Sequence, residues 1–177
     1  MAFFLYLCIN FMGIDKTMET ANEFIQLANS SRFQFFLLRK LPSAYFSGVR
    51  LRTLTGDTCE VTVPFKWFSQ NPFRSTYFAC LAMAAELSTG ALAMAHVYKR
   101  KPAVSMLVVK MEAEYFKKAT DLTGFTCTDG KEFREAIIAA LETRQPQVLT
   151  AHTEGKNPAG ELVARFSITW SFKAKAV

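Results

Sequence analysis

Apolar residues change their spacing along this chain, and each change marks a new element. Over residues 18–41, Phe24, Leu27, Phe33, Phe36 and Leu37 recur at helical intervals. Asn29, Ser30 and Ser31 break that run, which predicts two short helices, and Pro42 ends the second. Between Tyr45 and Phe65 the period falls to two. Val49, Leu51 and Leu54 are followed by Cys59, Val61 and Val63, with Gly56–Asp57 as the turn of a hairpin. Residues 75–97 then form an almost wholly apolar stretch in which Glu86 is the only ionised side chain. Asn71–Pro72, Ser75 and Thr76 offer start signals for a helix there, and Pro102 limits its far end. Four strand-like pieces follow at 103–117, 122–128, 147–155 and 161–173. In the last, Leu162, Ala164, Phe166, Ile168, Trp170 and Phe172 share a side. An amphipathic helix at 130–144, with Phe133, Ile137 and Leu141 on one stripe, separates the second piece from the third. Short turns between strands imply antiparallel pairing. A helix apolar all round requires cover on every side. The expectation is an α+β fold, a curled antiparallel sheet wrapped around a long central helix.

Composition narrows this picture. A length of 177 residues suits one domain. Half of the residues are hydrophobic and 17 are phenylalanine, so a sizeable core is available and disorder is excluded. Residues 1–17 read as an N-terminal extension, an over-long start before Met18 or a docked segment, and residues 18–177 as the domain. The net charge of +6 points to an anionic partner. The basic residues make no stripe interleaved with aromatics, so nucleic acid is not expected as a partner. Lys99, Arg100 and Lys101, then Lys117 and Lys118, suit local phosphate contacts. Cys8, Cys59, Cys80 and Cys127 form no C-x-x-C pair, so no metal site is expected, and they read as reduced core residues of a cytoplasmic protein. Glu86, Ser88, Thr89, Gly90 and His96 argue against a membrane span for the long helix, because a central acid costs about 3 kcal/mol there.

The outline resembles the hotdog fold, and the entrance of the long helix narrows the resemblance. Thioesterases of the phenylacetyl-CoA type carry a motif similar to N-x-x-G-x-x-H-G-G, with an acid seven positions after the second glycine. Here Asn71 takes the asparagine position, Tyr77, Phe78 and Ala79 stand at H-G-G, and Glu86 takes the acidic position. The stretch 112-EAEYFKKAT-120 is similar to the strand after the helix, and 160-GELVARFSITWSF-172 to the last strand. The similarity spans residues 35 to 174 and is strongest to a branch of thioesterase-like proteins classed as a domain of unknown function.

The resemblance implies an acyl-CoA thioesterase-like hydrolase in which water attacks the thioester. Glu86 would be base or nucleophile, the Ala79 N–H an oxyanion donor, and Asn71 the group that positions water or carbonyl. Tyr77 and Phe78 would border the substrate. Lys99, Arg100, Lys101 or Lys117 would meet coenzyme A phosphates. Coenzyme A enters only as part of the substrate, so no separate cofactor is expected. Family sites lie between protomers, which implies a homodimer or a dimer of such dimers. The rival reading is a non-catalytic acyl- or acyl-CoA-binding protein of the same fold, with Glu86 paired to Arg50, Arg52, a lysine or a hydroxyl and Asn71 serving only as a cap.

Overall fold

The computed structural model describes residues 20–176. The expectation for residues 1–17 therefore lies outside the described residues. A first helix, α1, occupies residues 20–28. It is followed by α2 (Arg32–Lys40) and α3 (Pro42–Ser47). The break falls at residues 29–31, where Asn29 leaves helical duty to clasp the Leu54 backbone, Nδ2 donating to its carbonyl and Oδ1 accepting from its N–H. Leu41 closes α2 before Pro42, and Pro42 opens α3 as its first residue. The sequence pattern had placed Tyr45 and Phe46 in a strand, but they belong to α3 instead.

Strands β1 (Arg50–Leu54) and β2 (Cys59–Val63) form the expected hairpin. After a 3-10 turn at Trp67–Ser69 comes α4 (Phe78–Val97). The remainder is β3 (Val104–Tyr115), β4 (Thr123–Cys127), α5 (Gly130–Thr143), β5 (Gln147–Lys156) and β6 (Leu162–Ala174). All pairings are antiparallel, and the strand order is β1-β2-β4-β5-β6-β3.

This order corrects the expectation of a curled sheet wrapped around the helix. The sheet is open, with β1 and β3 as two unpaired edges. Helix α4 packs chiefly on β2, β4 and β5, touches β1 and β6 less, and leaves β3 largely outside its reach. Geometry explains the difference. Six strands spaced about 4.8 Å apart span roughly 24 Å, more than twice the width of one helix. The apolar surface of α4 is covered partly by helices instead, with α5 and α3 packed against it.

The core lies between α4 and the inner face of the sheet. Phe125, Phe166, Ile168 and Phe172 come from the strands, Leu92 from α4 and Phe133 and Ile137 from α5, all fully buried. Three of the polar residues that argued against a membrane span, Ser88, Thr89 and His96, are hydrogen-bonded in this packing. Ser88 Oγ donates to the Ala85 carbonyl and lies 2.9 Å from Thr153 Oγ1. Trp170 Nε1–H donates to Thr89 Oγ1 at 3.1 Å. His96 Nε2 reaches the Gly56 carbonyl at 2.8 Å. A helix long and apolar enough to cross a bilayer is thus the core helix of this fold.

A candidate active site at the amino end of the core helix

The loop that leads into α4 is held by its own polar groups. Asn71 Oδ1 accepts from the N–H of Phe73 at 2.9 Å and of Ser75 at 3.3 Å, and its Nδ2 lies 3.1 Å from Ser75 Oγ. These bonds make Asn71 the organiser of a tight turn rather than a cap of the helix. Within that turn Arg74 is held at φ 56°, the left-handed region. The Tyr77 N–H donates to Ser69 O and the Thr76 N–H to Ala119 O, both at 2.7 Å. The loop is therefore clamped between the 3-10 turn on one side and the chain after β3 on the other.

Helix α4 starts later than its sequence signals suggested. Its N-cap is Tyr77, which offers no side-chain cap. The Cys80 and Leu81 N–H groups reach the Tyr77 carbonyl, while those of Phe78 and Ala79 find no acceptor among the described residues. Such orphan donors carry the positive end of the helix dipole. Phe78 borders an open cavity of about 760 Å3 lined by the 70–78 loop, Leu81, and the stretch from Tyr115 to Ala119, and Ala79 lies just outside that lining. Tyr77 and Phe78, edge to face at 4.7 Å, stand at its rim. Thr76 lines the same cavity. Its hydroxyl is buried and unpartnered, although its sequence context marked it only as a helix hydroxyl.

Glu86 lies five residues beyond Leu81, about 7.5 Å further along the axis, outside the cavity lining. It shares a half-buried stripe with Ala79, Ala82 and Met83, at spacings of three, four and seven. Among the described residues its carboxylate makes no hydrogen bond or ion pair, so Arg50 and Arg52 are not its partners. Arg50 donates instead to Tyr45 and Val49 carbonyls and Arg52 to Thr62 Oγ1. The Glu86 carboxylate bends toward Gly90, where a Cβ would stand 3.2 Å from its Oε1 and 3.2 Å from the Trp170 ring. Burial raises its pKa above the ordinary 4.5.

The structure thus brings Asn71, Tyr77, Phe78 and Lys117 to one cavity and sets Ala79 and Glu86 on the helix stripe running away from it. Lys117 is paired with Glu161 there, whereas Lys118, at the same cavity, has no ion-pair partner among the described residues. Lys99, Arg100 and Lys101 lie past the opposite end of α4, roughly 30 Å along its axis. Lys99 pairs with Glu23, and Arg100 Nε donates to the His96 carbonyl. Among the described residues no cluster of His, Cys, Asp or Glu could hold a metal ion.

One long core helix on an antiparallel sheet, with a cavity at its amino end, defines a hotdog-type fold. Within that class the chain belongs to the family described as Domain of unknown function (DUF4442), which matches residues 30–172. Solved structures with the same fold include a Pseudomonas aeruginosa protein of unknown function titled "Probable Thioesterase". It is 19% identical with a TM-score of 0.68, over 87% of this chain and 95% of that one. A Haemophilus influenzae thioesterase is 13% identical with a TM-score of 0.62, over 80% of this chain and 88% of that one. A Chlorobaculum tepidum protein of unknown function is 15% identical with a TM-score of 0.68, over 85% and 96%. No curated protein matches the chain.

Proposed function

We propose that this protein hydrolyses acyl thioesters such as acyl-CoA, as a homodimer. The observation that carries this reading is an open cavity at the unsatisfied Phe78 N–H together with the half-buried Glu86 carboxylate further along the same helix, unpaired among the described residues. In the proposed reaction Glu86 takes a proton from water as the water oxygen bonds to the thioester carbonyl carbon. The N–H groups of Ala79 and Phe78 receive the oxyanion, a contribution of about 3–4 kcal/mol for one such donor. Collapse of the intermediate breaks the C–S bond, and the thiolate leaves with the proton that Glu86 holds. Thr76 Oγ1 is placed to orient water or carbonyl, and Lys118 to meet an anionic carrier. Tyr77, Phe78 and Tyr115 supply apolar walls.

The edge strand β3 supports the proposed dimer. This 12-residue edge strand exposes Leu107, Val109 and Tyr115, an unusually apolar free edge for a lone domain. Pairing β3 with its copy about a two-fold axis would satisfy that edge. The second reading, an acyl-binding protein without turnover, is favoured by Phe78 at the rim, edge to face with Tyr77, where the resembled family carries glycine. Hydrolysis of acyl-CoAs of graded length, measured beside their binding, separates the two. In the enzyme, Glu86→Gln lowers turnover by about 10²-fold or more and leaves binding intact. Binding without hydrolysis across the whole series supports the second reading and sinks the first.

A further inference from the structure

The 3-10 turn and the helices before it carry apolar surface that the proposed site does not use. Trp67 is 75% exposed, Phe68 59% and Phe46 50%. The three are contiguous. Trp67 and Phe68 meet edge to face at 4.8 Å, and Phe68 lies 6.0 Å from Phe46 on α3. Cations stand among them. A Cβ on Gly48, at the end of α3, would meet the Lys66 amine at 2.7 Å, which places that amine beside α3. Helix α2 packs on α3 and ends in Arg39 and Lys40. Arg39, Lys40 and Lys66 have no ion-pair partner among the described residues. From Phe24 to Ala85 seven basic residues stand against two acidic ones, and residues 24–56 contain no acid.

We infer that this face docks the protein on an anionic lipid surface, with Phe46, Trp67 and Phe68 entering the boundary between headgroups and acyl chains. Half-exposed or freer aromatic rings gain by leaving water, and tryptophan favours that boundary because its ring is apolar and its N–H polar. Unpaired lysine and arginine beside them meet the lipid phosphates. A second copy of the chain suits the face poorly, since apposing two uniformly basic patches brings like charges together. An acidic protein would answer the cations but not the three protruding rings. Docking here leaves the β3 edge free for pairing, and it stands whether or not the protein hydrolyses thioesters.

The test is flotation of the full chain with vesicles of phosphatidylcholine alone and with about 30% phosphatidylglycerol, together with tryptophan emission. Trp170 is buried, so the difference between wild type and Trp67→Phe isolates Trp67. The expected result is flotation with the anionic vesicles only, weakened by salt, and a blue shift of Trp67 on binding. Charge reversal by Lys40→Glu with Lys66→Glu lowers partition by about tenfold or more. Trp67→Ser with Phe68→Ser abolishes it, with an unchanged melting curve. Absence of flotation, or equal flotation with neutral vesicles, overturns the inference. So does a Trp67 that already emits as a buried ring without lipid, because residues 1–19 or another chain then cover the face. A drop in sedimenting mass of the Trp67→Ser, Phe68→Ser variant assigns the face to self-association and overturns it as well.

Discussion

Glu86 is a carboxylate taken from water without a counter-charge, and that sets its behaviour under mutation. Its raised pKa means that the folded state binds the proton more tightly than the unfolded chain. Ionising Glu86 therefore costs stability once pH rises above about 4.5, the ordinary glutamate value. Glu86→Gln is expected to raise the melting temperature at neutral pH and to leave it unchanged below pH 4.5, as thermal denaturation across that range would show. A fall at neutral pH would mean that the carboxylate has a partner after all. The acid limb of hydrolysis should lie above the ordinary carboxylate range for the same reason. His96 runs the opposite way. Burial lowers its pKa below the ordinary 6.5, aided by Arg134 and Arg100 and opposed by its bond to Gly56. It is neutral in the fold and protonates more readily once unfolded. Its contribution is complete above pH 6.5 and is lost as pH falls through its lowered value, so His96→Gln should flatten the stability profile below pH 6.5. The Ala79 N–H is tested by Ala79→Pro, since proline is tolerated in a first helical turn. Circular dichroism should be unchanged while turnover falls by about 10²–10³-fold. The resemblance to the helix-entrance motif marked Glu86 and Ala79, and the spacing of seven between them, two helical turns, places both on one stripe. It did not mark Thr76, whose lack of a partner depends on what surrounds it in space.

At the scale of elements, the contact of α5 with the β1–β2 turn is the tightest test of register. Gly130 opens α5 against Gly56 and Asp57. A Cβ there would lie 2.4 Å from the Asp57 Cα and from the Gly56 carbonyl oxygen. Backbone cannot swing aside as a side-chain tip can. Gly130→Ala should therefore destabilise by about 1–3 kcal/mol despite the better helix propensity of alanine, read as a lower urea midpoint. An unchanged midpoint would show that α5 does not sit on the turn. Element types were largely legible, with the hairpin, α5 and the strand-like pieces near their expected positions. The misplacements have local causes. Tyr45 and Phe46 fit a strand by composition, but Pro42 at the first helical position and the packing of Ala44 and Ser47 draw them into α3. The start signals at Asn71, Ser75 and Thr76 are consumed by the turn, which defers α4 to Phe78.

For the whole molecule, the proposed dimer rests on the exposed β3 edge. Leu107 and Val109 are 66% and 53% exposed on an edge strand. Introducing charge there, as Leu107→Lys with Val109→Lys, should turn a dimer into folded monomers in sedimentation equilibrium, because edge lysines oppose strand pairing. A wild type already monomeric at micromolar concentration would remove the dimer from the proposal. Hydrophobic period and turn chemistry, written in the sequence alone, determined that this chain is α+β, that its strands pair antiparallel, and that one helix, apolar but for Glu86 and a few polar residues, forms the core. Those properties depend on residues near one another along the chain. Tertiary structure alone decided that the sheet stays open and leaves β3 beyond α4, that the cavity forms at residues 70–81 and 115–119, and that Lys99–Lys101 stand a helix length away from it. Each of these depends on which distant segments meet. A periodic pattern shows which face of an element is buried, but not which element buries it.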